Sequence, residues 1–395
     1  MDGIPPLSAD SPPPAAASPA THSPAPDPAG AFRAILDRLA RGDILTEAEA
    51  ETVFGLIMDG AIPDTLIAAF LMALRVRGER PAELLGAVRA MRARMRRVGP
   101  VPAGTIDVCG TGGDGLGTLN ISTAVAFVLA ALGVPVAKHG NRALSSRSGA
   151  TDVLGELGVP LSDDPALIAA RITHDHLAFL AAPAHHPAMR HAAPVRAALG
   201  IRTLFNLVGP LSNPAGVRRQ LVGVYDPSWL RPVVETLRDL GSERVWAVHG
   251  NCGENRGAQP GRGVDELTLA GPTDIVALQD GRIHELTLQP EDAGLRAAPI
   301  AAIAGGDPAE NARALAALLG GAHGAYRDTV LLNAAISLHV AGRGEVLHDG
   351  AIRTDALRAL VADAARVLDD GSALAALNSA RAPRPGSAEE SIQSV

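Results

Sequence analysis

Aromatic residues are scarce in this 395-residue chain, at 3% of the sequence, with two tryptophans and two tyrosines. So few rings leave little for the stacking platforms that hold single-stranded nucleic acids. An excess of positive charge is missing too: 35 Lys and Arg face 42 Asp and Glu, for a formal net charge of −7. The densest basic stretch, Arg89 to Arg97, holds five arginines but follows a helical pattern, which reads as a solvated helix face. No nucleic-acid partner is expected. The two cysteines, Cys109 and Cys252, cannot form a metal cluster alone, and one disulfide would be a weak staple in so long a chain. A reducing, cytoplasmic compartment is the expectation. No apolar run reaches the length of a membrane span. The start, Asp2 and then prolines, lacks the basic region and apolar core of a signal peptide.

What is present is the makings of a globular core, with 47% apolar and 19% charged residues. Residues 1–30 carry nine prolines with Ala and Ser, and such a segment, having little to bury, is expected to be a disordered head. From Ala31 the apolar residues Phe32, Ile35, Leu36 and Leu39 recur at helical spacing. Thr46 followed by Glu49 predicts a capping box. Helical patterns over Thr65–Arg75 and Pro81–Arg96 complete a small all-helical unit, residues 31–100, which must pack against a larger domain or a second subunit.

Near Thr105 the texture changes. Thr105-Ile106-Asp107-Val108 reads as a buried strand, Asn120–Leu132 as a helix, and Val134–Ala137 as the next strand. Further strands are expected at Leu177–Leu180, Gln220–Tyr225 and Arg244–Val248. Helices are expected at Asp152–Leu157, Trp229–Leu240, Asn311–Leu319, Thr329–Val340 and Thr354–Leu368. This alternation predicts an α/β domain over 101–395, with a central, mainly parallel sheet covered by helices on both faces.

The most informative stretch runs from Cys109 through Gly110-Thr111-Gly112-Gly113-Asp114 to Thr118, Asn120, Ser122 and Thr123. Closely spaced glycines after a strand leave backbone N–H groups free to converge on an anion, and a helix beginning at Asn120 aims its positive end there. Phosphate or pyrophosphate is the natural ligand. The P-loop lysine is missing after Gly117, and no ribose-binding acid follows about 20 residues later, so two standard nucleotide fingerprints fail. A second polar cluster follows the next strand: Lys138-His139-Gly140-Asn141-Arg142, then Ser145-Ser146. Lys138 would supply a point charge to phosphate, and Asn141 could touch a second substrate.

These runs closely resemble anthranilate phosphoribosyltransferases. So does His185-His186-Pro187-Ala188-Met189-Arg190, with Pro194-Val195-Arg196 and Arg202-Thr203-Leu204-Phe205-Asn206-Leu207-Val208-Gly209-Pro210. The resemblance covers roughly residues 31–375 and leaves out the proline-rich head. It implies a nucleoside phosphorylase/phosphoribosyltransferase-like fold: a small all-helical N-terminal domain plus a large α/β domain. A segment near 186–200 would return to the helical part, through which a homodimer would form.

The implied reaction moves the 5-phosphoribosyl group of 5-phosphoribosyl-1-pyrophosphate (PRPP) to the amine of anthranilate, a step of tryptophan biosynthesis. The PRPP site implied is Gly110 to Asp114 with Thr118, Asn120, Ser122, Thr123, Lys138 and Ser146. Asn141, Pro183, Arg196 and Gly209 would line the anthranilate channel, with His139 and His186 beside it. Lys138, Asn141 and Arg196 would carry the catalytic work.

Magnesium would be held by Ser122, Asp265 and Glu266; adjacent carboxylates on a loop suit a hard cation that keeps several waters. Here the chain departs from the pattern. Fourteen residues, Asn251 to Val264, separate His249-Gly250 from Asp265-Glu266, where relatives have a short connection. Gly155 also stands where a glutamate is common. The competing readings are a pyrimidine nucleoside phosphorylase and a non-catalytic nucleic-acid-binding relative of the same fold. The His185–Arg196 segment and the acidic pair argue against the first, the net charge against the second.

Overall fold

Four short amphipathic helices open the ordered chain: α1 (Pro28–Ala40), α2 (Glu47–Met58), α3 (Asp64–Arg77) and α4 (Pro81–Arg94). The computed structural model describes Met1 and residues 27–141, 148–252 and 263–382. The first helix starts earlier than its apolar pattern suggests, because Asp27 caps it by accepting from the Ala29 N–H at 3.0 Å, and Pro28 suits its first turn. Pro28 to Gly30 therefore belong to the helical unit, while residues 2–26 of the expected disordered head lie outside the described residues. The capping box forms: Glu49 N–H donates to Thr46 Oγ1 at 3.3 Å and Thr46 N–H to Glu49 Oε2 at 2.8 Å. The fourth helix stops at Arg94, two residues short of the expected end, since Met95 turns extended.

The larger unit begins with β1 (Ile106–Gly110), α5 (Ile121–Ala131), β2 (Val136–Gly140), α6 (Ala150–Glu156), α7 (Pro165–His174) and β3 (Leu177–Ala181). The chain then leaves the sheet through α8 (Ala182–His185), α9 (Ala193–Leu199) and α10 (Phe205–Val208). It returns as β4 (Arg219–Gly223), α11 (Leu230–Asp239), β5 (Arg244–Asn251), β6 (Gly263–Val264), β7 (Thr273–Gln279) and β8 (Arg282–Leu288). The last part holds α12 (Pro308–Leu319), α13 (Ala325–Val340), the hairpin β9 (Leu347–His348) and β10 (Ala351–Ile352), α14 (Thr354–Asp369) and α15 (Ser372–Arg381). No helix among the described residues is long and apolar enough to cross a membrane.

Among the described residues the main sheet has eight strands in the order β3-β2-β1-β4-β5-β7-β8, with β6 paired to β5. The five strands from β3 to β5 are parallel, and β6, β7 and β8 are antiparallel. The sheet is thus mainly parallel, as its pattern predicts. The antiparallel hairpin of β7 and β8 is an addition, because its outer strand alternates exposure and gives no continuous apolar run. Strands β1 to β3 run to one side of the sheet and β4 and β5 to the other, so the order reverses between β1 and β4. In open sheets such a switch point leaves a crevice at the carboxyl ends of the two strands.

Among the described residues two large cores lie on the two faces of the sheet, with a smaller cluster around Ile168, Ile172 and Leu180. Along β5, Trp246 and Val248 enter the core made with α5, α13, α14 and α15, while Val245 and Ala247 enter the other. That second core runs without a break into the helical unit, through Phe54, Phe70, Leu74 and Val88. Phe54 meets Phe205 of α10 edge-on, with ring centroids 5.3 Å apart. Arg92 Nε donates to the Leu211 carbonyl at 2.9 Å. The small unit therefore finds its packing partner within its own chain, and α9 lies against α3.

Candidate functional site

At the switch point, β1 and β4 each end on glycine, and Gly110 pairs with Gly223. Asp265 occupies the space above them. A β-carbon on Gly110 would fall 2.2 Å from Asp265 Oδ2, and one on Gly223 only 1.5 Å from the Asp265 carbonyl oxygen. A side chain at Gly223 would clash with backbone, and one at Gly110 would displace the Asp265 carboxylate. The Asp265 carboxylate then accepts from the Gly112 N–H at 2.6 Å, tying the glycine-rich loop to the acidic pair. Glu266 accepts from the Ser122 N–H at 3.2 Å, in the first turn of α5. A helix N-terminus favours this carboxylate as it would a phosphate.

The loop is held from several sides. Thr111 N–H donates to the Gly223 carbonyl at 2.9 Å, and Tyr225 N–H to Thr111 Oγ1 at 3.1 Å. Asp114 accepts from Leu116 N–H at 3.0 Å. Gly112 and Gly113 take positive φ values of 68° and 74°, which L side chains rarely adopt. The N–H groups of Gly113, Asp114 and Gly115 have no partner among the described residues, so together they form a cradle for an anion. Thr118 bridges to Ala304 and Gly117 accepts from Gly305 N–H at 2.8 Å, so the segment before α12 clamps the far end of the loop. Asn120 does not cap α5 with its side chain. Its Oδ1 accepts from Asn311 Nδ2 at 3.0 Å, and its carbonyl from Tyr326 Oη at 3.0 Å. Thr123 is buried.

Lys138 and His139 sit within β2, which runs three residues past the expected end at Ala137. The strand runs on because its neighbour β3 pairs with it as far as Gly140 opposite Ala181. Lys138 is the chain's single lysine, and every other cationic side chain is arginine. It is 3% exposed and lines a small pocket with Gly140, Thr151, Phe179 and Ala181. No carboxylate of the described residues lies within ion-pair distance of it, yet its charge lowers the carboxyls of Asp107 and Glu266. Ser146 lies outside the described residues, as do Arg142 and Ser145.

His139 and His186 face each other, Nε2 to Nε2 at 3.2 Å. Burial holds His139 well below the usual imidazole range and pushes His186 down to about 4. Both are therefore neutral near pH 7, and one N–H is shared between them. Gly209 lies beside His139, and Pro183 opens α8 just past the end of β3. Asn141 follows β2, its carbonyl 3.5 Å from the Thr151 N–H. Arg196 projects from α9 with its guanidinium 5.6 Å from the Phe205 ring, and burial lowers its pKa. Its side chain makes no hydrogen bond or ion pair among the described residues, which leaves its fork available to a carboxylate.

Asp265, Glu266 and the Ser122 hydroxyl form an all-oxygen set that fits a hard divalent cation. Burial raises both carboxyls above their ordinary range, helped by Asp114 at Asp265 and by Asp265 at Glu266. A cation between them would relieve that repulsion. Among the described residues no group of three His, Cys, Asp or Glu side chains could hold a metal. Two carboxylates and a hydroxyl suit an ion that keeps several waters. The fourteen-residue insertion does not disturb it at the described ends. Strands β5 and β6 form a ladder with Gly250 opposite Val264 and Asn251 opposite Gly263, and Asp265 follows at once. Residues 253–262, the tip of the insertion, lie outside the described residues.

Sequence reasoning passed over Asp107, Arg202, Gly223 and Tyr225. Asp107 carried a signal, an acid inside a buried strand. It accepts from the His139 N–H at 3.1 Å and from Gln220 Nε2 at 3.3 Å, beneath the site. The other three take their meaning only from strand pairing and packing.

The chain matches the family model described as "Glycosyl transferase family, a/b domain" over residues 103–374. It matches "Glycosyl transferase family, helical bundle domain" over residues 33–95. It is 60% identical over 350 residues to the anthranilate phosphoribosyltransferase of Gluconobacter oxydans, covering 89% of this chain and 94% of that one. Identity to the enzyme of that name from Methylocella silvestris is 51%, over 88% and 94% of the two chains. Among solved structures, anthranilate phosphoribosyltransferase from Thermus thermophilus superposes with a TM-score of 0.77 at 41% identity, covering 88% of this chain and 98% of that one. The Saccharomyces cerevisiae enzyme in complex with PRPP and Mg gives 0.76 at 25%, over 88% and 96%.

The buried carboxyl beneath the site has a consequence for stability. Burial pushes Asp107 up to about 6, above the value of about 3.9 expected when unfolded. Between those values the folded chain binds more protons than the unfolded one. Its contribution to stability is therefore full below about pH 4 and lost as pH rises to about 6. Asp107→Asn should flatten this decline. Urea midpoints of both proteins across that range check it, and parallel curves would refute it.

Proposed function

The chain belongs to the anthranilate phosphoribosyltransferase family, and from that premise we propose which of its residues carry the transfer. The reaction joins C1 of the phosphoribosyl group to the amine nitrogen of anthranilate and releases pyrophosphate; it contributes to tryptophan biosynthesis. The C1–oxygen bond breaks with its electron pair going to pyrophosphate, the C1–nitrogen bond forms, and the amine loses one proton. Much of the rate then comes from stabilising negative charge on the leaving group and from holding two substrates together.

One observation carries the assignment of residues: Asp265 lies over the two terminal glycines at the switch point and is bonded to Gly112. The anion cradle and the acidic pair are thereby parts of one site. In this reading Gly110 to Asp114, Thr118, Asn120, Ser122, Thr123, Lys138 and Ser146 serve PRPP. The cradle N–H groups and Lys138 hold phosphate oxygens. Ser122, Asp265 and Glu266 would hold magnesium, the cofactor of the reaction, whose charge would stabilise the departing pyrophosphate. On the acceptor side Arg196 takes the anthranilate carboxylate, and Asn141, Pro183, Gly209, His139 and His186 shape the channel. The neutral histidine pair suits an aromatic acid, since it adds no charge to compete with Arg196. An aniline-type nitrogen is nearly neutral in water, so the residues assigned here orient it rather than deprotonate it.

The domain limits that fit this reading are 31–100 and 101–395, with 186–200 returning to the helical part. Self-association through the helical unit is supported by its exposed apolar side chains. Apart from Met1, the large ones among the described residues are Ile44 and Val76 on that unit and Ile201 just past the segment returning to it. A cytoplasmic setting fits the two free cysteines.

Incubation with PRPP, magnesium and anthranilate should yield pyrophosphate and phosphoribosyl-anthranilate; no product at high enzyme concentration would sink the reading. Arg196→Ala should raise the KM for anthranilate by about 10-fold or more, the loss of a charge-assisted pair, with the KM for PRPP unchanged. Steady-state kinetics in both substrates tests this, and unaltered use of anthranilate removes Arg196 from the acceptor site. Val76→Glu should convert a dimer into monomers in sedimentation velocity. A wild-type monomer, or a variant that stays dimeric, refutes the helical interface.

A further inference from the structure

Arg202 stands on the turn between α9 and α10, where the chain comes back from the helical unit toward the sheet. It is partly buried, and its guanidinium carbon lies 4.1 Å from the centroid of the Tyr225 ring. Stacking on an aromatic face fixes the plane of the guanidinium and leaves its edge N–H groups available. The platform is itself attached to the glycine-rich loop, since the Tyr225 N–H donates to Thr111 Oγ1 at 3.1 Å. A β-carbon on Gly113 would come within 2.7 Å of Arg202 Nε and 3.0 Å of Nη2, so the donor edge lies directly against the loop.

That edge is unused. Arg202 makes no hydrogen bond or ion pair among the described residues. Beside it are the unpartnered N–H groups of Gly113, Asp114 and Gly115. One residue the other way, Gly112 is bonded to Asp265, a carboxylate of the magnesium pair. An anion resting on this part of the cradle would meet Arg202 on one flank and the magnesium carboxylates on the other.

We propose that Arg202 is a second cation of the phosphate loop and binds an oxygen of the pyrophosphate group of PRPP, not its 5-phosphate. The proposal rests on the phosphoribosyl-transfer reading above. Its chemistry is that of leaving-group stabilisation. As the C1–oxygen bond breaks and the electron pair moves to pyrophosphate, the charge at Arg202 meets a growing negative charge. Gly113 is then required twice, for its positive φ and because a side chain there would push the guanidinium off the loop. The competing role is a structural pin, in which Arg202 merely joins the returning segment to Tyr225.

The test uses the full chain with magnesium and compares Arg202→Gln and Arg202→Lys with the wild type. Two inhibitors probe the two ends of PRPP: pyrophosphate and ribose 5-phosphate. Arg202→Gln should raise the KM for PRPP and the inhibition constant of pyrophosphate by about 10- to 100-fold, as loss of a charge-assisted hydrogen bond would. The KM for anthranilate and inhibition by ribose 5-phosphate should stay as in the wild type. Arg202→Lys should recover part of the loss, because the charge remains while the planar fork is gone. Should the glutamine variant fail to fold, the same split between inhibitors in the lysine variant decides. Equal weakening of both inhibitors, weakening of ribose 5-phosphate alone, a change confined to anthranilate, or no change overturns the proposal. Wild-type release of pyrophosphate in the same assay separates this outcome from failure of the parent reading.

Discussion

Asp265 resting over Gly110 and Gly223 is the contact on which the site depends. Parallel strands whose connections run opposite ways leave a crevice at their carboxyl ends, but a crevice alone positions nothing. Here the two strand ends are paired, both lack a β-carbon, and the freed space admits the backbone and carboxylate of one residue. Its bond to the Gly112 N–H then locks the glycine-rich loop to a segment 153 residues further along the chain. Glu266 repeats the device at the first turn of α5. The acidic pair and the glycine-rich loop are thus brought together by backbone proximity, and neither relies on a long, flexible side chain.

Around that contact the protein buries an unusual amount of polarity in its central strands. Asp107, Lys138, His139 and Gln220 are each at most 5% exposed, in strands whose other residues are mainly aliphatic. Burying such groups is costly unless they find partners. Asp107 has the His139 N–H and Gln220, and His139 has His186. Lys138 has the fields of Asp107 and Glu266 without a paired carboxylate. The last arrangement is the one expected where charge is reserved for a ligand. Two large cores, one on each face, provide the hydrophobic stabilisation that tolerates it.

The same framework explains why a long insertion is tolerated close to Asp265 and Glu266. It leaves at the end of β5 and returns at β6, and those strands are paired at the point of exit. Asp265 follows the paired Val264 directly, so the β5–β6 ladder fixes its position. Insertions at hairpin tips cost little, whereas one between Val264 and Asp265 would break the geometry.

Local rules made much of the molecule legible. Helical periodicity and the Thr46–Glu49 box marked the small unit, and apolar runs marked β1 to β5, because burial on both faces leaves no polar alternation to confuse them. Glycine spacing after β1 points to a loop suited to an anion, since few other needs place so many glycines before a polar helix start. The strand end at β2 was misjudged because pairing with β3, a non-local fact, carries Lys138 and His139 into the ladder. The β7–β8 hairpin escaped notice because its outer strand is half exposed. The sequence by itself determined which chemistry the loop could hold, through residue types and spacing. Tertiary structure alone decided that Gly223 faces Gly110, that Asp265 fits between them, and that Arg202 stacks on Tyr225 beside Gly113. Each of those facts joins residues far apart in the chain, and only the order of strands in the sheet makes them neighbours.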